Sequence, residues 1–246
     1  WGVSKVLPVT IPFGNMGVNL FFVISGFLIT GILLSLKDKI DDKNVTIFES
    51  LKIFYVRRTL RIFPIYYLTI FVCFLLSVYP IYNIWGWLVS YTLNLGVSFW
   101  AIDAGVFLHF WSLAVEEQFY LFFPLFTLLI PKRHLTKLFF GMILAAVLSR
   151  FIINQLNFNE FREGIIGYQL TLCCLDTFGV GALLAFWFEN SREALSAFIQ
   201  RYFWLSIVFL ILFLSNEFLI KGFSGGTTFG RFFFALSCFF IIGKAI

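Results

Sequence analysis

The fold of this protein is decided by an apolar stretch near its start, residues 17–36, which reads GVNLFFVISGFLITGILLSL. The stretch contains no charged residue. A helix needs about 20 predominantly apolar residues to cross the hydrocarbon core of a bilayer. Residues 17–36 therefore predict a membrane-spanning helix.

The rest of the chain has the same apolar character. Of its 246 residues, 60% are hydrophobic and only 13% are charged, against about 25% charged residues in a typical soluble domain. The mean hydropathy is +0.92. A soluble protein of this length could not cover so much apolar surface with so few polar residues. The composition excludes a soluble enzyme, a disordered chain and a nucleic-acid-binding module, although the net charge is +5.

Six further apolar stretches predict spans, so the predicted fold is an all-α polytopic bundle. The predicted spans are about seven, at residues 17–36, 62–79, 110–130, 138–154, 164–188, 202–220 and 231–246. Three segments between them carry most of the Lys and Arg residues, at 37–61, 131–137 and 189–201. Because cytoplasmic loops are enriched in Lys and Arg, we expect all three to face the cytoplasm.

This orientation requires that residues 82–102 do not cross the membrane once by themselves. A single crossing there would move every later loop to the opposite side. The stretch is rich in Trp and Tyr, which prefer the membrane interface. We therefore predict a re-entrant or interfacial helix at this position.

The span at residues 110–130 carries a polar face. At 100° per residue, one side of the helix collects four polar side chains, those of His109, Ser112, Glu116 and Tyr120. Glu117 is turned about 100° away, toward Leu113 and Leu121.

A carboxylate within a membrane helix is costly, which favours a functional role for Glu116. With His109 on the same face, the pattern suits acid–base chemistry, and we predict both residues to be catalytic. The alternative is an interfacial glutamate that only bonds a neighbouring helix.

A second pattern is basic. Arg57 and Arg61 lie four residues apart, with Arg58 beside them, at the predicted inner edge of a span. Guanidinium groups suit phosphate binding. From charge alone, simple anchoring on the cytoplasmic side or binding of anionic lipid headgroups is the better explanation.

Two other intramembrane positions are candidates for substrate contact. Ser25 precedes Gly26 midway along a span, where small residues permit either close helix approach or space for a ligand tail. Asp176 is an intramembrane acid that either joins helices or contacts substrate. The four cysteines lie in apolar stretches without metal-binding spacing, so we expect buried free thiols and no metal site.

Taken together, four segments resemble the acyltransferase-3 family of bacterial membrane acyltransferases, in the family's order. They are GVNLFFVISGFLI at 17–29, RRTLRIFPIYY at 57–67, HFWSLAVEEQFYLFFP at 109–124 and DTFGVGALLA at 176–185. The resemblance implies transfer of an acyl group, with acetyl the expected case, from acyl-CoA to a hydroxyl of a sugar or glycan at the inner membrane. Acyl-CoA is then a donor substrate, and no permanently bound cofactor is expected.

The resemblance also implies roles for individual residues. It assigns the motif carboxylate to Glu116 and acyl-CoA contacts to the arginines, Arg57, Arg58 and Arg61. The implied substrate contacts are Ser25, Trp111, Ser112, Tyr120 and Asp176. The family's first helix carries an Arg and a catalytic His before the point where this chain starts. We therefore expect residues 1–246 to be one acyltransferase domain, truncated at both ends.

Two other functions are compatible with the composition. A transporter or flippase of a glycan or lipid would use the same carboxylates to bind substrate without chemistry. A structural membrane subunit would explain the apolar spans but not the polar face around Glu116.

Overall fold

A computed structural model describes residues 13–156, 160–219 and 226–246. Within those ranges the regular secondary structure is entirely helical, as predicted. The helices are α1 (Phe13–Asp41), α2 (Ile47–Leu75), α3 (Ile81–Val89), α4 (Leu93–Trp100), α5 (Phe110–Leu129), α6 (Lys132–Gln155), α7 (Glu160–Gln169), α8 (Thr171–Asn190), α9 (Arg192–Tyr202), α10 (Leu205–Leu219) and α11 (Gly226–Ala245).

The number of spanning helices is smaller than the predicted seven. Among the described residues, five helices are long and apolar enough to cross a membrane, or six if α9 and α10 count as one span bent by 62°. The predicted span at 202–220 is thus the second half of a bent pair. The predicted span at 110–130 forms α5, which is not among these helices because Glu116, Glu117 and Gln118 lower its hydropathy.

The stretch at 82–102 forms two short helices, α3 and α4, joined by a turn. They contain 9 and 8 residues, so each is only about 12–14 Å long. Neither can cross a hydrocarbon core of about 30 Å. The stretch is therefore not one spanning helix, and its re-entrant or interfacial position stays a prediction.

Helices α1 and α8 cross at very close range. A methyl group added at Gly26 of α1 would collide with the carbonyl of Phe178, and one added at Gly181 of α8 would collide with the carbonyl of Val23. The two glycines therefore allow the backbones to touch. Of the two interpretations of Gly26, the structure favours close helix approach.

The basic segments meet at one end of the bundle. Lys37, at the end of α1, donates a hydrogen bond of 2.8 Å to the carbonyl of Leu128 at the end of α5. Lys132 at the start of α6 forms an ion pair with Asp38. Arg192 of α9 donates to the carbonyl of Ile246, 3.0 Å away. Thr136 near the start of α6 and Asn190 at the end of α8 line one cavity, so the three segments predicted to share one side of the membrane begin at the same end of the fold.

Candidate active site

Glu116 of α5 is the centre of a buried polar cluster that joins three helices. Its Oε1 atom accepts hydrogen bonds from Ser25 Oγ of α1 at 3.0 Å and from Arg58 Nη2 of α2 at 2.8 Å. The hydroxyl of Tyr120 donates to the same oxygen. The Glu116 side chain is 3% exposed and that of Arg58 is 16% exposed. A buried carboxylate is therefore matched by a cation and two hydroxyl donors.

Local geometry explains why these residues meet. Tyr120 follows Glu116 by one helical turn, so both side chains lie on the same face of α5. The Arg58 guanidinium lies over the Tyr120 ring, 3.6 Å from its centroid. This cation–π contact orients the guanidinium while its Nη2 atom reaches the carboxylate. The cluster is held by packing as well as by charge.

Two cavities adjoin Arg58. A groove of about 180 Å³ lies between α1 and α2, and its polar lining consists of Arg57, Arg58 and Arg61. A larger cavity of about 380 Å³ lies between α2, the α3–α4 turn and α5. Its walls contain Tyr55, Arg58, Thr59, Phe63, Ser90, Tyr91, Glu117, Gln118, Tyr120 and Leu121. Arg58 thus contributes to both cavities while it is paired with Glu116.

The three arginines lie well inside helix α2, and their position at the inner edge of the membrane stays a prediction. Helix α2 begins at Ile47, so Arg58 is 11 residues inside it, about 16 Å along its axis. Arg57 and Arg61 are exposed in the groove, whereas Arg58 turns toward Glu116. The three arginines therefore share the groove, and Arg58 also pairs with Glu116.

His109 does not join the cluster. It is exposed just before the start of α5, where its ring packs against Phe110 with centroids 4.5 Å apart. Seven residues separate it from Glu116, which is about 10 Å along a helix. Sharing a helical face therefore did not bring the imidazole to the carboxylate, and Glu116 pairs with Arg58 instead.

The other two motif residues of this helix make local or packing contacts. Ser112 donates a hydrogen bond of 2.9 Å to the carbonyl of His109. Trp111 is buried and meets the rings of Phe22 and Tyr168 edge-on, at centroid distances of 6.2 and 5.2 Å. Neither side chain has a hydrogen bond to Glu116 in this structure.

Asp176 lies in a second buried cluster. It is 0% exposed and forms a 2.6 Å ion pair with Arg150 of α6, which is 1% exposed. Arg150 also donates to the backbone carbonyls of Cys173 and, at 2.9 Å, Thr228. Nearby, Arg231 of α11 donates to the carbonyls of Cys173 and Tyr168. Of the two interpretations of Asp176, this arrangement favours a residue that joins helices.

Sequence reasoning missed several residues that the structure brings forward. Arg150 and Arg231 were not recognised as partners for the region around Asp176, although unpaired intramembrane charges are a signal to look for partners. Glu117 was placed among leucines, but it lines the larger cavity with Tyr91 and Gln118. The four cysteines are free, three buried and Cys73 half-buried. Among the described residues, no three His, Cys, Asp or Glu side chains form a group that could hold a metal.

The fold and the cluster define a multi-pass helical membrane protein with a buried carboxylate–guanidinium pair beside two cavities. Residues 2–245 match the family model described as an acyltransferase domain, Acyl_transf_3. The chain therefore belongs to the acyltransferase-3 family. It is a membrane acyltransferase that transfers groups other than amino-acyl groups.

Curated proteins of three bacteria illustrate the relationship. An uncharacterized protein of Haemophilus influenzae is 33% identical over 195 residues, which are 72% of this chain and 76% of the relative. A candidate O-acetyltransferase of Staphylococcus aureus strain COL is 32% identical over 196 residues, covering 70% of this chain and 30% of the relative. The peptidoglycan O-acetyltransferase OatA of Listeria monocytogenes is 35% identical over 135 residues, covering 48% and 20%. No solved structure gives a significant match.

Proposed function

We propose that this protein transfers an acyl group, in the expected case acetyl, from acyl-CoA to a hydroxyl of a sugar or cell-surface glycan, and that it does so in the bacterial inner membrane. One observation carries the proposal. Arg58, paired with the buried Glu116, contributes to two separate cavities. A transferase needs its donor and acceptor to meet at one point. Arg58 lies between the two cavities, so a donor in one and an acceptor in the other would meet there.

The groove between α1 and α2 is proposed for the donor. Arg57 and Arg61 are exposed in it and can bind phosphate oxygens of coenzyme A. Its other walls are apolar, formed by Ile29, Ile32, Leu36, Ile53 and Phe54. The arginines of the groove would bind the phosphates of the donor, and its apolar walls would contact the acyl group.

The Glu116 cluster is proposed to support the chemistry. When the acceptor hydroxyl attacks the thioester carbonyl, negative charge develops on the carbonyl oxygen, and the coenzyme A thiol then leaves. Arg58 offers a fixed positive charge that can stabilise this oxygen. Glu116, with Tyr120, holds the guanidinium in place. The hydroxyl proton passes to the catalytic histidine that the family resemblance implies, and from there to the departing coenzyme A sulfur.

Radiolabelled acetyl-CoA tests the proposal with the complete protein in inner-membrane vesicles. We expect label to appear in glycan, and Glu116→Gln to abolish most of that transfer. Glu189→Gln is a matched control, because Glu189 is an exposed carboxylate at the end of α8. Glycan that crosses the membrane without acquiring label would instead support a transporter.

The proposed orientation has its own test. We expect the basic end of the bundle to face the cytoplasm. Single cysteines placed at Asp42 and His134 should therefore react with a membrane-impermeant thiol reagent only after the cells are permeabilised. Labelling of either by a membrane-impermeant reagent in intact cells would refute this orientation.

A further inference from the structure

The larger cavity is close to the Glu116 cluster and has the size of a small ligand site. Its volume of about 380 Å³ falls at the lower end of the range of about 300–1,000 Å³ for ligand pockets. Arg58 and Tyr120 form part of its wall, and both also bind Glu116. A ligand in this cavity would therefore lie beside the catalytic cluster.

Three residues of the cavity wall have a buried polar atom without a hydrogen-bond partner. They are Glu117 Oε1, the Nε atom of Arg58 and the hydroxyl of Tyr91. Buried polar atoms are normally paired, and leaving them unpaired is costly. The wall of the cavity thus carries an acceptor, a donor and a group that can do both, on Glu117, Arg58 and Tyr91. Hydroxyl groups, which donate and accept, are the ligand chemistry that satisfies all three.

The part of the cavity wall formed by Tyr91 and Gln118 is held in place without a ligand. The Tyr91 ring stacks on Tyr66 with centroids 4.4 Å apart and on Phe63 at 5.6 Å. Gln118 Nε2 donates to the carbonyl of Tyr91 at 2.8 Å and to Asn94 Oδ1 at 2.9 Å. The position of the Tyr91 hydroxyl is therefore set by packing and by its held backbone.

The two adjacent glutamates are in different states. Glu116 Oε1 accepts three hydrogen bonds, whereas Glu117 Oε1 accepts none. Charge also distinguishes the two cavities, since the charged residues of the donor groove are all arginines, whereas the larger cavity contains the Glu117 carboxylate together with Arg58. A carboxylate repels the phosphates of coenzyme A but accepts hydrogen bonds from neutral hydroxyls.

We propose that the larger cavity binds the hydroxyl-bearing acceptor, a sugar unit, and that Glu117 accepts a hydrogen bond from one of its hydroxyls. This inference rests on the proposed acyl transfer and assigns its acceptor site. The proposed role of Glu117 differs from the sequence-based prediction, in which Glu117 pointed away from the polar face of Glu116. Of the leucines expected around it, only Leu121 is part of the cavity wall.

Kinetics with the complete protein and soluble peptidoglycan fragments as acceptor give the first test. Glu117→Gln should raise the acceptor concentration for half-maximal transfer by ~10-fold or more, because it removes a charge-assisted hydrogen bond. The half-saturating concentration of acetyl-CoA should change by less than about two-fold. Reduced turnover with an unchanged acceptor requirement would overturn the assignment.

A binding measurement separates this inference from the proposed reaction. Ser90 is exposed and lines the cavity, so Ser90→Cys in a Cys73→Ser background provides a thiol for maleimide labelling. Peptidoglycan fragments should slow this labelling when Glu117 is present and fail to do so in Glu117→Gln. A cysteine at Ser196, on the exposed surface of α9, should label at the same rate throughout.

The outcomes distinguish the two ideas. Protection that depends on Glu117 without any acetyl transfer would support the acceptor site and refute the proposed reaction. Acetyl transfer with protection that is identical in Glu117→Gln would support the reaction and refute the role of Glu117.

Discussion

Two buried charged clusters lie in the described part of this membrane protein, and they differ in what surrounds them. In one, all three guanidinium nitrogens of Arg150 donate hydrogen bonds, to Asp176 and to the carbonyls of Cys173 and Thr228. In the other, Arg58 binds Glu116 but leaves its Nε atom unpaired and contributes to two cavities. Burial and ion pairing are common to both. Arg231 Nε, beside the Asp176 pair, is unpaired as well, so the cavities that adjoin Arg58 are what distinguish the Glu116 cluster.

The largest expected effect is on stability and comes from breaking the Arg150–Asp176 ion pair. Asp176→Ala leaves the Arg150 charge buried without its partner, and we expect a loss of about 3–5 kcal/mol in the free energy of unfolding. Thermal unfolding of the detergent-solubilised protein measures this. The double variant Arg150→Met, Asp176→Leu should recover much of the stability, since it removes both charges. An Asp176→Ala protein that is as stable as the wild type but inactive would show a substrate contact instead.

At the other cluster the effect should be on catalysis. Glu116→Gln keeps the size of the side chain but removes the charge that holds Arg58, and we expect turnover to fall by ~10²-fold or more. Its thermal stability should fall less than that of Asp176→Ala, because the amide oxygen of Gln still accepts hydrogen bonds and Arg58, which is 16% exposed beside two cavities, is not left fully buried. If Glu116→Gln unfolds as readily as Asp176→Ala, the two clusters do not differ as we infer.

A smaller effect is expected in the donor groove. Arg57→Ala and Arg61→Ala each remove a charge-assisted phosphate contact, which is worth about 1.5–3 kcal/mol. Binding of acetyl-CoA should weaken accordingly, while the acceptor requirement stays the same. Equal losses for both substrates would indicate a role in folding or membrane insertion. The measurement is the half-saturating concentration of each substrate with the other in excess.

The smallest effect is expected at His109. This residue is exposed and packs on Phe110 rather than on Glu116. His109→Asn should change turnover by less than about three-fold, because no hydrogen bond joins the imidazole to the cluster. A loss comparable to that of Glu116→Gln would restore the catalytic role that the helical face predicted.

One half of each ion pair could be predicted from the sequence. The intramembrane acids Glu116 and Asp176 were both identified as exceptional, because charge within an apolar span is costly. Their partners could not be identified from spacing. Arg58 lies 58 residues from Glu116, and Arg150 lies 26 residues from Asp176. Pairing at such separations depends on which helices pack together, and helical periodicity says nothing about that.

The sequence by itself determined the class of the fold and the family. Apolar stretches of span length leave the chain no stable state in water, and in a bilayer their backbones must form helices. The four motifs identified the acyltransferase-3 family, which the family model confirms.

Only the tertiary structure decided which polar residues meet. A helical face can be calculated from periodicity, but the residue opposite that face depends on how α1, α2 and α5 pack. That packing paired Arg58 with Glu116, left His109 outside and placed Glu117 in a cavity. The physical reason is that side chains buried in a membrane must satisfy their polar atoms from neighbouring helices, since lipid offers no hydrogen bonds.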